Sequence, residues 1–255
     1  MSYNTIGFVA AHYPEAQQAL VLMTHRYGNH PIEDADVVVC LGGDGYMLRT
    51  LHAAMDRGVP VYGMNRGSVG FLMNTFNQDD LPERLENSEA AILHPLHMEA
   101  HDLEGNIHTA LAINEVSLLR ETRLAAKISI SIDGKERMEE MICDGVLVST
   151  PAGSTAYNAS AHGPIMPIGS ELLALTAISA YRPSRWRGAL LPREAIVTIG
   201  VRKPQERRVS ATADYTEVRN IEKVIIREDK EATTTLLFDP EHNLNERIIK
   251  EQFLL

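Results

Sequence analysis

The order of apolar patterns along the chain predicts an α/β domain followed by a mostly antiparallel β-rich domain. Two observations carry this. The first third alternates short apolar runs with helical patterns, the mark of a parallel sheet flanked by helices. From about Ile92 the texture changes to period-two alternation punctuated by turn signals, among them Asp133-Gly134, a strong hairpin dipeptide.

Taken in order, "TIGFVAA" reads as a strand, "PEAQQALVLMTHRYG" as a helix and "ADVVVCLGG" as a second strand buried on both faces. After a glycine turn, Met47, Leu48, Leu51, Ala54 and Met55 recur at helical spacing, and Gly58 stops the helix. "VPVYGMN" is a third strand that ends in another glycine-rich segment, "RGSVGFL". Beyond Ile92, "HTALAINEVSLLRE", "AAKISISIDGKERMEEMIC", "DGVLVST", "EAIVTIGV", "EKVIIRE" and "ATTTLLFD" read as strands of the second domain. "GSELLALTAISA" reads as an intervening helix, and "PEHNLNERIIKEQF" as a closing one. The expected domains are therefore 1–93, 94–240 and a helical tail, 241–255, packing back on the first domain.

Composition excludes some functions. A formal net charge of −10 over 255 residues argues against a sequence-independent nucleic-acid binder, which needs a basic footprint. It leaves anionic small ligands open, because backbone N–H groups or a bound cation can hold phosphates against the net charge. No apolar stretch approaches a membrane span. The first residues carry no basic region and enter a strand, unlike a signal peptide. Cys40 and Cys143 sit inside apolar segments as reduced, buried thiols, which points to the cytoplasm.

Four segments could carry chemistry. Gly42-Gly43-Asp44-Gly45 stands where a parallel strand gives way to a helix, the place where open α/β sheets bind ligands. Glycine lets the backbone approach phosphates, and a helix start offers unpaired N–H groups. A plain turn with an aspartate cap is the alternative. Asn114 and Glu115 form a polar pair with apolar flanks, costly unless something is bound; a rim position is the alternative. "CDGVLVSTPAGSTAYNASAHGPI" runs from Asp144-Gly145 through a buried strand into a hydroxyl-rich loop, where Tyr157 could stack on a base. It lacks the G-x-S-x-G elbow of a nucleophilic serine. His94, His97 and His101 break helical spacing and have no companion cysteines, so they do not read as a metal site.

"LGGDGYMLRT", "GMNRGSVGFL", "INEVSL" and "DGVLVSTPAGSTAYNASAHGPI", in this order and spacing, resemble the bacterial type of the NAD kinase family. The resemblance implies an α/β first domain, a β-sandwich-like second domain, a nucleotide site at their junction and a homodimer or homotetramer. It implies transfer of a phosphoryl group from ATP, with magnesium, to the adenosine-ribose 2′-hydroxyl of NAD. Carried over, Asp44 is the proton acceptor and Gly42, Gly43 and Gly45 form the phosphate loop. The dinucleotide set is Asp44, Gly45, Asn114, Glu115, Asp144, Ala152, Thr155, Ala156, Tyr157, Asn158, Ala159 and Ser160, with Arg49 as a phosphate partner. Two departures stand out. Ala152 replaces the usual threonine, and the family's late Asp-Gly-Gln is matched by Asp214-Tyr215-Thr216. A lipid kinase with a Gly-Gly-Asp-Gly loop and a non-catalytic dinucleotide sensor are the rival readings.

Overall fold

The computed structural model describes residues 3–67, 70–184 and 186–240, and the chain divides into two compact units. The first is built from β1 (Ile6–Ala10), α1 (Pro14–Tyr27), β2 (Val37–Gly42), α2 (Asp44–Met55), β3 (Val61–Asn65), β4 (Asn74–Thr75), α3 (Leu81–Asn87) and β5 (Glu89–Leu93). β1, β2 and β3 pair in parallel. All six residues of β2 are buried, which is why its sequence is a continuous apolar run rather than an alternating one. Val37, Val39 and Leu41 cluster with Ala16, Ala19 and Met23 of α1, while Cys40 meets Thr50 of α2.

The second unit, His94–Lys230, holds β6 (Leu96–Asp102), β7 (Ile107–Ala112), β8 (Glu115–Arg120), β9 (Ala126–Ile132), β10 (Lys135–Cys143), β11 (Gly145–Ser149), the short helix α4 (Tyr157–Ser160), β12 (Leu172–Ile178), β13 (Gly188–Pro192), β14 (Val197–Val201), β15 (Val209–Ala213), β16 (Thr216–Val218) and β17 (Ile221–Glu228). They form two antiparallel sheets, ordered β10-β9-β14-β17-β6-β7 and β13-β12-β11-β8-β15-β16. Residues of both sheets share one buried apolar cluster, so the unit is a sandwich. Asp133 and Gly134, with φ of 51° and 74°, make the tight β9–β10 turn that their sequence predicts.

Two expectations are corrected. "GSELLALTAISA" is not a helix: Leu172–Ile178 is β12, hydrogen-bonded to β11 on one side and β13 on the other. Five of its seven residues are buried, and a short apolar run buried on both faces satisfies either periodicity until its neighbours are known. "ATTTLLFD" does not belong to the second domain either. β18 (Thr234–Phe238) returns to the first unit and lies between β3, in parallel, and β5, antiparallel. The boundary therefore falls at 230 rather than 240, and the first unit is discontinuous in sequence. The closing helix and tail expected over 241–255 lie outside the described residues. No helix among the described residues is long and apolar enough to cross a membrane.

Candidate active site

In the first unit, Gly42 ends β2, Gly43 is the N-cap of α2, and Asp44 and Gly45 open its first turn. The cap makes no side-chain hydrogen bond, so Asp44 does not serve as the helix cap considered from sequence. Its carboxylate reaches the glycine-rich segment after β3 instead. Oδ2 accepts the Phe71 N–H at 2.7 Å and Oδ1 the Leu72 N–H at 2.9 Å. Those two bonds fix the carboxylate's orientation, and a Cβ on Gly70 would stand only 3.3 Å from Oδ1. On either side of it in sequence, a Cβ built on Gly43 or Gly45 would meet nothing within 4 Å. Space is therefore not what keeps these two positions as glycine. A ligand approaching the backbone at the helix start would use it, where the first-turn N–H groups lack intrahelical acceptors. Arg49 is exposed on α2, but five residues past Asp44 puts it about 140° around the helix axis, off the aspartate's face.

In the second unit, Asn114 and Glu115 lead into β8. Their backbone is clamped from two sides. Asp214 accepts the N–H groups of Ile113, Asn114 and Glu115 at 2.7, 3.0 and 3.3 Å. Opposite, the Thr150 hydroxyl donates to the Ile113 carbonyl at 2.7 Å and the Thr150 N–H to that of Asn114 at 3.0 Å. The side chains are not consumed this way. Asn114 Oδ1 and Glu115 Oε2 are buried without a hydrogen-bond partner among the described residues. Burial, followed by the charge of Asp214, pushes the Glu115 carboxyl up to about 7, with the Tyr157 N–H partly opposing them.

The hydroxyl-rich loop folds as a 3₁₀ turn, Ala152–Thr155, followed by α4. Gly153 packs so closely on the Asn114 carbonyl that a Cβ would lie 2.1 Å from its oxygen. Ser154 accepts the Met166 N–H at 2.9 Å and donates to Pro151 O. Asn158 is wholly buried, donating to Ser154 O and Pro164 O and accepting from the Thr176 hydroxyl at 2.6 Å. Its side chain is thus an internal fastener, with both N–H donors and one acceptor site spent inside the protein. Thr155, Ala156, Tyr157 and Ala159 remain half-buried and Ser160 exposed, while Ala152 is buried. The Tyr157 hydroxyl is held above its ordinary acid range by burial and then by the charges of Glu115 and Asp144.

Asp144 is not brought to the Asn114–Glu115 pair. It precedes Gly145, which pairs with Leu119, whereas Glu115 pairs with Ser149 at the other end of the same ladder. Four strand residues separate the ends by about 13 Å. Asp144 instead takes a 2.5 Å hydrogen bond from Arg120 Nε. Sequence reasoning also missed Thr150, Ser154 and Thr176, and left Asp214 without a role. The signal for Asp214 was faint: an aspartate between two strand patterns, with nothing to say which backbone it would face.

Residues 6–90 match the ATP-NAD kinase N-terminal domain and residues 113–235 the ATP-NAD kinase C-terminal domain. The chain belongs to the ATP-NAD kinase family. Membership makes it a kinase, a phosphotransferase for NAD, and favours neither the lipid-kinase nor the sensor reading. It is 59% identical over 248 residues to the NAD kinase of Hyphomonas neptunium, covering 97% of both chains. It is 55% identical to that of Caulobacter vibrioides, covering 97% of this chain and 95% of the relative. The fold is shared more widely than the sequence. Yeast NADH kinase, solved with NADH, superposes with a TM-score of 0.84 at 19% identity, covering 100% of this chain and 89% of that one. An NAD kinase of Archaeoglobus fulgidus, solved with ATP, gives 0.77 at 21% identity, covering 98% of each.

Proposed function

We propose that the chain transfers the terminal phosphoryl group of ATP to the 2′-hydroxyl of the adenosine ribose of NAD, giving NADP and ADP. The anchored carboxylate of Asp44 beside the open glycine loop carries this reading. Asp44 takes the proton of the attacking hydroxyl, whose oxygen bonds to the terminal phosphorus as the bond to ADP breaks. Phosphoryl transfer is governed by positioning and by stabilising charge on the transferring group. An aspartate held by two amides is aimed without rearrangement, while N–H groups at the start of α2 face the donor phosphates. The second unit supplies the dinucleotide-holding groups: Asn114 Oδ1 and Glu115 Oε2 for hydroxyl or amino donors, and the Tyr157 ring for a base.

Among the described residues no cluster of three or more candidate ligands could cage a metal. Magnesium is ordinarily held by one or two carboxylates together with substrate phosphates, a requirement that Asp44 fits. When bound, magnesium would neutralise phosphate charge that a protein of net charge −10 does not offset overall.

A coupled dehydrogenase that detects NADP, with purified protein, ATP, magnesium and NAD, tests the reading. NADP should form only when all are present. Full turnover in excess chelator would remove magnesium from the scheme, and no NADP at all would remove the function. A cytoplasmic setting is supported by Cys40 and Cys143, both free and buried. The family likeness supports a homodimer or homotetramer, and light scattering on the purified chain would decide it.

A further inference from the structure

Asp214 occupies the two-residue turn between β15 and β16, with φ of +52°, a left-handed conformation that asparagine and aspartate tolerate best after glycine. The ladder between β15 and β8 runs up to Ala213↔Val116. One step further, the Asp214 N–H still donates to the Glu115 carbonyl at 3.2 Å. That register brings the carboxylate over the entry to β8, where three consecutive N–H groups converge on it. Such a run of amides is a concave anion site, filled here by the protein's own carboxylate. Removing the carboxylate would leave buried donors unsatisfied.

Two of the residues gathered in this way, Asn114 and Glu115, each keep one side-chain oxygen unspent. Asn114 Oδ1 and Glu115 Oε2 are buried without partners, whereas the loop's backbone is bonded to Asp214 on one side and Thr150 on the other. The contacts to Asp214 and Thr150 constrain the loop's backbone and leave Asn114 Oδ1 and Glu115 Oε2 unused, while the Tyr157 N–H meets the Glu115 carboxylate. We propose that Asp214 is a positioning residue for dinucleotide recognition: by gathering the amides of 113–115 it fixes the direction in which Asn114 and Glu115 present their oxygens. This rests on the dinucleotide reading above. Tyr215 and Thr216, which depart from the family's Asp-Gly-Gln, leave this role intact, because it uses only the aspartate.

The experiment measures NAD affinity by calorimetry, together with KM for NAD, KM for ATP and thermal unfolding. It compares wild type, Asp214→Asn, Asn114→Ala and the double variant. Expected for a cooperatively folded Asp214→Asn is at least a tenfold loss of NAD affinity, with KM for ATP within twofold. The double variant should lose little beyond the worse single one, because both changes act through one presented group. A pH series adds a readout that general loosening would not move. Asp214 and Tyr157 are the groups facing Glu115, with Asp144 acting on Tyr157. Removing the charge of Asp214 should therefore shift the midpoint for NAD binding toward lower pH. If Asp214→Asn does not fold, Asp214→Glu, which keeps the charge and lengthens the arm, is subjected to the same comparison and should lose NAD affinity without the acid shift. Unchanged NAD affinity in a folded variant overturns the proposal. So do equal losses for NAD and ATP, or fully additive losses in the double variant. If wild type itself does not bind NAD, the functional reading falls first and the proposal with it; normal wild-type binding with an indifferent Asp214 removes the proposal alone.

Discussion

Asp44 and Asp214 use one device for opposite ends. Each carboxylate leaves its own element to collect consecutive backbone N–H groups, two from Phe71 and Leu72 for Asp44, three from Ile113 to Glu115 for Asp214. Beside Asp44, Gly43 and Gly45 leave open space, so an anchored carboxylate can still meet a substrate. Asp214 spends its acceptors on the loop in which Asn114 Oδ1 and Glu115 Oε2 stay unpaired. Anchoring a charge is thus not in itself a catalytic signature; what surrounds the anchored group decides whether it reacts or holds.

The largest expected effect breaks that comparison at its reactive end. Asp44→Asn removes basicity and turns one acceptor into a donor facing an amide. Turnover should fall roughly 100-fold or more, with NAD affinity nearly constant. Recovery at high magnesium would show that metal holding outweighs proton transfer. Wild-type turnover in the folded variant would end the catalytic assignment.

Two glycines sharpen the contrast between reserved space and packed space. Gly153→Ala must push a Cβ into the Asn114 carbonyl, so it should cost about 3 kcal/mol or more of stability in denaturant titration. Gly45→Ala meets nothing, and should leave stability within about 1 kcal/mol while weakening nucleotide binding. Equal stability losses would show that the space at Gly45 is not kept for a ligand.

Glu115 separates function from stability by pH. Its carboxyl lies near 7 in the fold against an ordinary 4.5, so the folded chain keeps a proton that the unfolded chain releases between those values. Stability therefore falls as pH rises across that window, and above about pH 7 the ionised form costs on the order of 1–3 kcal/mol. Glu115→Gln should raise the melting temperature at pH 8, leave it little changed near pH 4, and weaken NAD binding. Unchanged melting at pH 8 would refute the burial argument. Tyr157→Ala is the smallest effect, about 1 kcal/mol of NAD affinity with turnover preserved, from the loss of base stacking. An unchanged dissociation constant would make the ring a packing residue.

Much of this site was legible because its signals are local. Gly-Gly-Asp-Gly after an apolar run fixes a strand, a turn and a helix start within one short stretch, and Gly42 to Gly45 lie where those rules place them. Asn114-Glu115 stood out because a polar pair amid apolar flanks is costly without partners, and Asn114 Oδ1 and Glu115 Oε2 lack them among the described residues. Asn158 misled for the complementary reason. Its side chain could serve a ligand or the protein equally well, and only its burial against Thr176 shows which.

The sequence by itself determined the α/β start, the antiparallel second unit, the Asp133-Gly134 hairpin and the chemistry-bearing segments, since each follows from periodicity or turn chemistry within a few residues. The tertiary structure alone decided that Leu172–Ile178 is a strand, that Thr234–Phe238 returns to the first sheet, that Asp144 sits a strand's length from Glu115, and that Asp214 holds residues about 100 positions away. These are pairings between distant segments. Local pattern sets what a segment can become, but the hydrogen-bonding partner that completes it is chosen by the packing of the whole chain.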